Sequence, residues 1–374
     1  MPSKPSIMNV LYRSVLQPVL YRCKPDTMHD TFVMLGEFLG KYAPLRMLVS
    51  ALYEYKGKDL SRVVDGIMYR TPVLLSAGFD NNGRLTRILR HISFGGEEIG
   101  SITAKPCKGN PLPRMIRLVR NKSIVVYKGL RNDGVDALIR RLKRTPKTSG
   151  FVIGVSVART NSEEVNATVE AGIADYVESF KKLNEAGVGD YYTINISCPN
   201  SFGGETFIDP KLFSRLMAEL VKTKCTKPIY VKMPINIVWE DFVQLLESAD
   251  KYGIHGVIIG NLNKNYKDLD HPEDAPREFR GGLSGKPCFA LSNELIRKTR
   301  AAYGKRFTII GVGGILTPEN AMEKFAAGAD LIQMISGMIF SDPGIIKAIC
   351  EKYAEVKHDA RLPPPLRAGH SGSH

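Results

Sequence analysis

From residue 59 onward the chain alternates between two textures. Short aliphatic and β-branched runs occur at Pro72–Ser76, Glu98–Thr103, Phe151–Val157, Tyr191–Ser197, Pro228–Met233, Gly256–Asn261, Phe307–Val312 and Leu331–Ser336. Continuous apolar runs of this length predict strands buried on both faces. Helical periodicity fills most of the gaps, at Tyr176–Ala186, Pro210–Lys222, Glu240–Tyr252, Leu291–Ala302 and Pro318–Ala327. Eight strand–helix repeats predict a parallel (β/α)8 barrel, the TIM-barrel architecture. A doubly wound open sheet is the competing fold, but no GxGxxG follows the first strand.

The residues before 59 read differently. The first 25 contain no acid and carry Lys4, Arg13, Arg22 and Lys24. Val10, Leu11, Val15, Leu16, Val19 and Leu20 recur at near-helical spacing, with Pro18 as a kink. Asp26 and Thr27 are the expected caps of a second helix, whose apolar face uses Phe32, Leu35, Phe38 and Leu39. Leu45, Met47, Leu48, Val49, Leu52 and Tyr53 continue the apolar pattern. The expected organisation is a helical membrane-associating extension at 1–58, a barrel at 59–357 and a disordered tail at 358–374. The extension either packs on the barrel or lies in a membrane interface with its basic residues at the headgroups. A mitochondrial targeting peptide has the same composition.

The 52 basic and 38 acidic side chains of the 374 residues leave a net charge of +14. That balance suits an anionic membrane surface, a phosphorylated cofactor, an acidic substrate or nucleic acid, or simply a solvated basic surface. No stretch approaches the 18 or so apolar residues of a membrane span. The six cysteines form no CxxC pair and the seven histidines no HExxH, so a disulfide framework and a structural metal site are both disfavoured.

In a barrel, chemistry gathers at the C-terminal ends of the strands. Those ends carry Ser76-Ala77-Gly78, Ser101, Ser156, Asn195 through Asn200, Lys232, Asn261, Gly311–Gly314 and Ser336-Gly337. Glycines after the seventh and eighth strands suit a phosphate cradle, because they let backbone N–H groups approach oxygens closely. A lysine in a strand is costly to bury unless it meets an anion, so Lys232 is read as a cofactor contact, with a lysine snorkelling to solvent or paired with a carboxylate as the plainer alternative. Asn195, Cys198 and Asn200 cluster in one loop, where asparagine suits an amide edge and a thiol suits proton transfer; a small buried thiol is the plainer alternative. Gly281, Gly282 and Gly285 in GGLSGKP indicate close backbone approach or a tight loop.

These segments resemble one family. AGFDNNG (77–83), EIGSITAKPCKGNPLPR (98–114), NISCPNS (195–201), GGLSGKP (281–287), IIGVGGI (309–315) and the run 328–340 are similar, in order, to the dihydroorotate dehydrogenases. With its N-terminal helices the chain resembles their membrane-associated, quinone-using class from about residue 8 to 355. The resemblance implies oxidation of dihydroorotate to orotate in pyrimidine synthesis, with bound FMN, a quinone as electron acceptor and no nucleic-acid partner. It implies a peripheral membrane protein contacting the bilayer through residues 8–55, on the cytoplasmic side of a cell membrane or at the mitochondrial inner membrane of a eukaryote. Carried over by position, Ala77, Gly78, Lys232, Gly285, Gly314, Ser336 and Gly337 hold FMN, with Ser76, Ser101, Ser156 and Gly313 completing the lining. Asn195, Asn200, Ser201 and Asn261 meet the pyrimidine, and Cys198 takes the catalytic-base position.

Four departures mark this chain. Cys198 stands where the quinone class has serine, Asn81 replaces the family's AGFDK lysine, and Ser156 replaces a flavin-side asparagine. The segment that supplies another substrate asparagine reads Val126-Tyr127-Lys128-Gly129-Leu130-Arg131. Lys128 and Arg131 are the expected compensating contacts to the substrate. The altered loop also keeps open a related FMN oxidoreductase acting on another cyclic substrate. An RNA dihydrouridine synthase and a non-catalytic flavin or membrane scaffold fit the motifs less well.

Overall fold

The computed structural model describes residues 12–198, 206–278, 280–342 and 344–358. From residue 359 the expected tail lies outside the described residues. Eight strands close into a parallel barrel: β1 Val73–Leu75, β2 Gly96–Ile102, β3 Val152–Val157, β4 Tyr191–Asn195, β5 Ile229–Met233, β6 Gly256–Ile259, β7 Thr308–Val312 and β8 Leu331–Met334. Each falls within or overlaps a run expected from sequence. The ring closes where Ile332 to Met334 of β8 pair with Val73 to Leu75 of β1.

The barrel is filled in layers. At its N-terminal end a hairpin, Arg62–Val64 and Ile67–Tyr69, turns through Asp65-Gly66, both at positive φ, as a two-residue hairpin loop requires. The hairpin carries Tyr69 into a cluster with Leu74, Tyr191, Tyr230 and Ile310 that closes this end. Above it sits a polar layer. Glu98 Oε2 accepts hydrogen bonds from Thr193 Oγ1 at 2.9 Å, Gln333 Nε2 at 3.0 Å and Tyr191 hydroxyl at 3.3 Å. Lys232 lies at the C-terminal end of β5.

Six of the seven strand-to-strand connections carry a helix of at least nine residues: Val135–Lys143, Val169–Ala186, Pro210–Leu220, Trp239–Lys251, Phe289–Tyr303 and Pro318–Ala326. Between β1 and β2 there is only the 3₁₀ turn Leu89–Ile92. The N-terminal helices Pro25–Lys41 and Ala43–Tyr53 cover that gap, bringing Val33 into the core with Leu85, Ile88 and Leu89.

The extension departs from two expectations. Asp26 does not cap its helix: it lies in the first turn, and its carboxylate accepts the backbone N–H groups of Arg114 and Met115. The packing face is also not the predicted one. Only Leu39 packs on the barrel, while Phe32, Leu35 and Phe38 face outward. Gly36 and Gly40 explain this, since a Cβ on Gly36 would lie 2.5 Å from Leu85 and one on Gly40 3.1 Å from Arg87. The helix docks by its small residues, so the large apolar ones are left for the other side. Pro18, for its part, lies where the π-turn Tyr12–Leu16 gives way to the helix Gln17–Arg22.

A second sheet, Met115–Leu118, Ser123–Val126 and Gly282–Gly285, pairs antiparallel beside the barrel. GGLSGKP is therefore partly strand. Its glycines meet protein backbone closely, as a Cβ on Gly281 would sit 2.7 Å from the Val126 carbonyl oxygen.

Glu97, next to the polar layer, is fully buried, and neither carboxylate oxygen has a hydrogen-bond partner among the described residues. Burial first, and then the neighbouring Asp80 carboxylate, hold its pKa well above the carboxylate range. The folded state thus keeps a proton that the unfolded chain releases above about pH 4.3. Stability should fall as pH rises from there toward the folded pKa. Glu97→Gln is expected to match the parent near pH 4 and to exceed it by at least about 1 kcal/mol at pH 8. Urea unfolding across that range measures the difference; parallel curves would refute it.

Candidate active site

A continuous line of hydrogen bonds joins the strand ends. Ser101 and Ser156 hydroxyls lie 2.7 Å apart, and Asn195 Nδ2 donates to Ser101 Oγ at 2.8 Å. The backbone N–H of Ser197 donates to Asn195 Oδ1 at 3.2 Å, and Ser197 Oγ donates to the Lys232 carbonyl at 2.9 Å. Asn261 Nδ2 reaches both the carbonyl and the hydroxyl of Ser197 at 2.6 Å. The Tyr176 hydroxyl donates to the Asn195 carbonyl at 2.7 Å, holding the end of β4 from behind. Ser197 is therefore the hub between Asn195 and Asn261. Sequence reading gave it no role, although it stands inside the most informative motif.

Lys232 is 5% exposed, and its Nζ donates to Ser76 Oγ at 3.3 Å, its single hydrogen bond among the described residues. Burial holds its pKa below the ordinary lysine value, opposed by Glu98 and Cys198. A buried ammonium with one neutral partner calls for an anionic or electron-rich neighbour. Gly78, at φ +109°, donates its N–H to the Gly100 carbonyl, and a Cβ there would meet only Ile335 at 3.8 Å, so the space beside it is open. Gly313 and Gly314 have φ of +100° and +70°. Gly285 and Gly337 are fixed by close backbone, since a Cβ would lie 2.2 Å from the Lys122 carbonyl oxygen and 2.3 Å from that of Ile315. Ser336 Oγ donates to Ser284 Oγ, linking the loop after β8 to the second sheet. The buried Lys232 ammonium, open space at Gly78 and two glycine loops fit a phosphorylated, electron-accepting ring system.

Cys198 lines a small cleft, partly open to solvent, with Leu130, Arg159, Tyr176, Asn195 and Phe207. Arg159, another residue the sequence reading passed over, is buried. It donates to Thr206 Oγ1 at 2.8 Å and lies 5.5 Å from the Phe207 ring centre. Its signal was a basic residue two positions beyond a strand end. Asn200 and Ser201 lie outside the described residues.

Of the two expected compensating contacts, Arg131 turns outward and Lys128 stays at the strand ends. Arg131 pairs with both Asp30 carboxylate oxygens at 3.0 Å, on the half-exposed surface of the N-terminal helix. Lys128 Nζ lies 3.0 Å from His29 Nε2 and donates to the Gly78 carbonyl at 2.8 Å. Burial pulls Lys128 down to about 8, and burial together with the Lys128 charge pulls His29 down to about 4. The cause is the loop conformation. Gly129 and Leu130 both take positive φ, and Leu130 rather than Arg131 lines the Cys198 pocket.

The N-terminal helices meet this same end of the barrel. His29 Nε2 lies 2.8 Å from the Phe79 carbonyl after β1, and Gln17 and Tyr21 donate to the Phe340 and Ile339 carbonyls after β8.

Comparison with known proteins finds relatives over most of the chain. The family model described as dihydroorotate dehydrogenase matches residues 59–356. A protein of Christiangramia forsetii named dihydroorotate dehydrogenase (quinone) is 33% identical over 350 residues, covering 92% of this chain and 99% of its own. One of the same name from Thermosynechococcus vestitus is 30% identical over 351 residues, covering 90% of this chain and 94% of its own. The crystal structure of an Eimeria tenella DHODH in complex with ferulenol superposes with a TM-score of 0.80 at 23% identity, covering 91% of this chain and 93% of its own, which speaks to the fold. The match includes the whole barrel and, in the curated relatives, extends across nearly the full chain; this protein belongs to the dihydroorotate dehydrogenase family.

Proposed function

We propose that the chain oxidises dihydroorotate to orotate with a bound FMN and passes the electrons to a quinone, as the names of its relatives indicate for them. The observation that carries this reading is the convergence of Asn195, Asn261, Lys232 and Cys198 on one end of the barrel. FMN, when bound, supplies the hydride acceptor for C6 of the substrate. Ser76, Ala77, Gly78, Ser101, Ser156 and Lys232 would line its ring, and Gly285, Gly313, Gly314, Ser336 and Gly337 its phosphate end. Asn195 and Asn261 offer amide groups already oriented by Ser197, suited to the donor and acceptor edge of a pyrimidine. Cys198, as thiolate, takes the C5 proton, because only the deprotonated sulfur can accept one.

The N-terminal helices support a membrane-borne acceptor. Val15, Val19, Phe38, Met47 and Leu48 are exposed, Met47 to 71%, with Arg22, Lys24 and Lys41 also at the surface. No helix among the described residues is long and apolar enough to cross a membrane. Attachment is therefore read as peripheral, through these helices, on the cytoplasmic side of a cell membrane or at the mitochondrial inner membrane of a eukaryote.

A second reading keeps the fold and cofactor but changes the substrate. It is favoured by Asn81, Val126 and the outward pairing of Arg131, which together leave a substrate carboxylate with fewer cationic contacts. Anaerobic mixing with dihydroorotate should bleach the flavin, and Cys198→Ala should slow that step by about 10²–10⁴-fold at unchanged flavin content. Bleaching by another cyclic substrate, and none by dihydroorotate, would establish the second reading.

Lys232→Met is expected to weaken flavin binding about tenfold or more without lowering the melting temperature of the flavin-free protein, since it removes a buried cation whose desolvation opposes its charged form. A drop in that temperature would make Lys232 structural. Binding to anionic vesicles should weaken with salt, and Leu48→Glu should weaken it about tenfold, as expected for losing one buried leucine. Equal pelleting of variant and parent would place the contact elsewhere.

A further inference from the structure

Lys324, on the helix Pro318–Ala326, is 0% exposed and plays no part in the chemistry above. Its Nζ donates to Ser292 Oγ and Asn293 Oδ1, each at 2.7 Å, and to the Val312 carbonyl at 3.3 Å. The ammonium also lies 5.2 Å from the centre of the Phe289 ring. Its three hydrogen bonds go to neutral acceptors, and among the described residues no carboxylate bonds to it. Strand β7 makes room for it: a Cβ on Gly311 would sit 2.8 Å from Lys324 Cγ and Cδ. Burying a cation this completely is costly unless an anion is near, and an apolar side chain would fill the space without that cost.

The residues around the ammonium also floor the glycine loop. A Cβ on Gly313 would lie 2.9 Å from Cys288 Cβ and 3.4 Å from Ser292 Oγ, and one on Gly314 would lie 2.4 Å from Phe289 Cβ. A single layer, Cys288, Phe289 and Ser292, thus lies between Lys324 and the loop expected to hold phosphate.

We propose that Lys324 is an electrostatic positioning residue for the phosphate of the flavin mononucleotide, acting from beneath the Gly313–Gly314 loop without touching the ligand. The inference rests on the flavin reading given above. The loop offers backbone N–H groups, and the cation under it adds an attraction that a low-dielectric interior screens only weakly. Burial pulls Lys324 down to about 7, so the flavin-free protein holds this proton only in part near neutrality. The titratable groups facing it are Cys288, whose thiol burial pushes up to about 12, and Glu323 on its own helix. A bound phosphate dianion favours the charged lysine, so binding should draw in a proton.

Riboflavin has the same ring and no phosphate, which separates this role from a purely structural one. Full-length protein stripped of flavin is titrated with FMN and with riboflavin, following flavin fluorescence. Lys324→Met should raise the FMN dissociation constant about tenfold or more while riboflavin changes by less than about twofold. Equal losses for both flavins, or no loss for either, would overturn the proposal. Should the variant not fold, calorimetry of the parent in buffers of different ionisation enthalpy gives the answer. Near pH 8, where a phosphate monoester is already dianionic, FMN should bind with proton uptake and riboflavin without it; identical proton counts would overturn the proposal. A parent protein that binds neither flavin would refute the flavin reading itself, before any variant is made, and this inference with it.

Discussion

The line of hydrogen bonds from Ser156 through Ser101, Asn195 and Ser197 to Asn261 crosses the ends of β2 to β6, and the candidate site is built on it. These groups are buried or partly buried, where an unpaired donor or acceptor costs about 1–3 kcal/mol. The line is therefore strongly selected to be complete. Its completeness fixes the orientation of the two asparagine amides before any substrate arrives. Preorganisation of this kind spares the cost of ordering side chains during binding. It also explains why serines at 101, 156 and 197 serve here: each hydroxyl can donate and accept along the chain.

Charge is handled by the opposite device. Lys232 and Lys324 are both buried, and among the described residues their ammonium groups hydrogen-bond to neutral acceptors. Neither placement favours folding, since desolvation opposes the charged form in both. A buried cation of this kind is stabilised when a ligand brings negative charge near it. Glu97, by contrast, is buried beside another carboxylate, and protonation relieves the repulsion. Its fate follows from pH rather than from a ligand.

The N-terminal helices join the two sides of this design. They hold the barrel through small residues, Gly36 and Gly40, and through polar contacts at Phe79, Ile339 and Phe340. Their large apolar side chains are thereby left exposed. Lys128 and Arg131 take part in this junction. Their pairing with His29 and Asp30 couples the divergent loop to the extension. Lys128 thus joins the extension, through His29, to the Gly78 carbonyl after β1.

The barrel was legible in the sequence because strand burial on both faces leaves a short, mainly apolar run, and eight such runs recur between helical stretches. The strand-end chemistry was legible for the same reason, since a barrel brings every strand end to one face whatever lies between. Local sequence could not show which side of an amphipathic helix docks. Phe32, Leu35 and Phe38 look like a core face until Gly36 and Gly40 are seen against Leu85 and Arg87. Nor could it show where Arg131 points, which depends on two positive-φ residues and on Asp30, 101 residues away. Ser197 and Lys324 gain their meaning only from partners on other strands and helices. The sequence by itself determined the repeat and the residue types at its ends, because those follow from local periodicity. The tertiary structure decided which of those residues face one another, because hydrogen bonds and buried charges are satisfied only by groups that folding brings together.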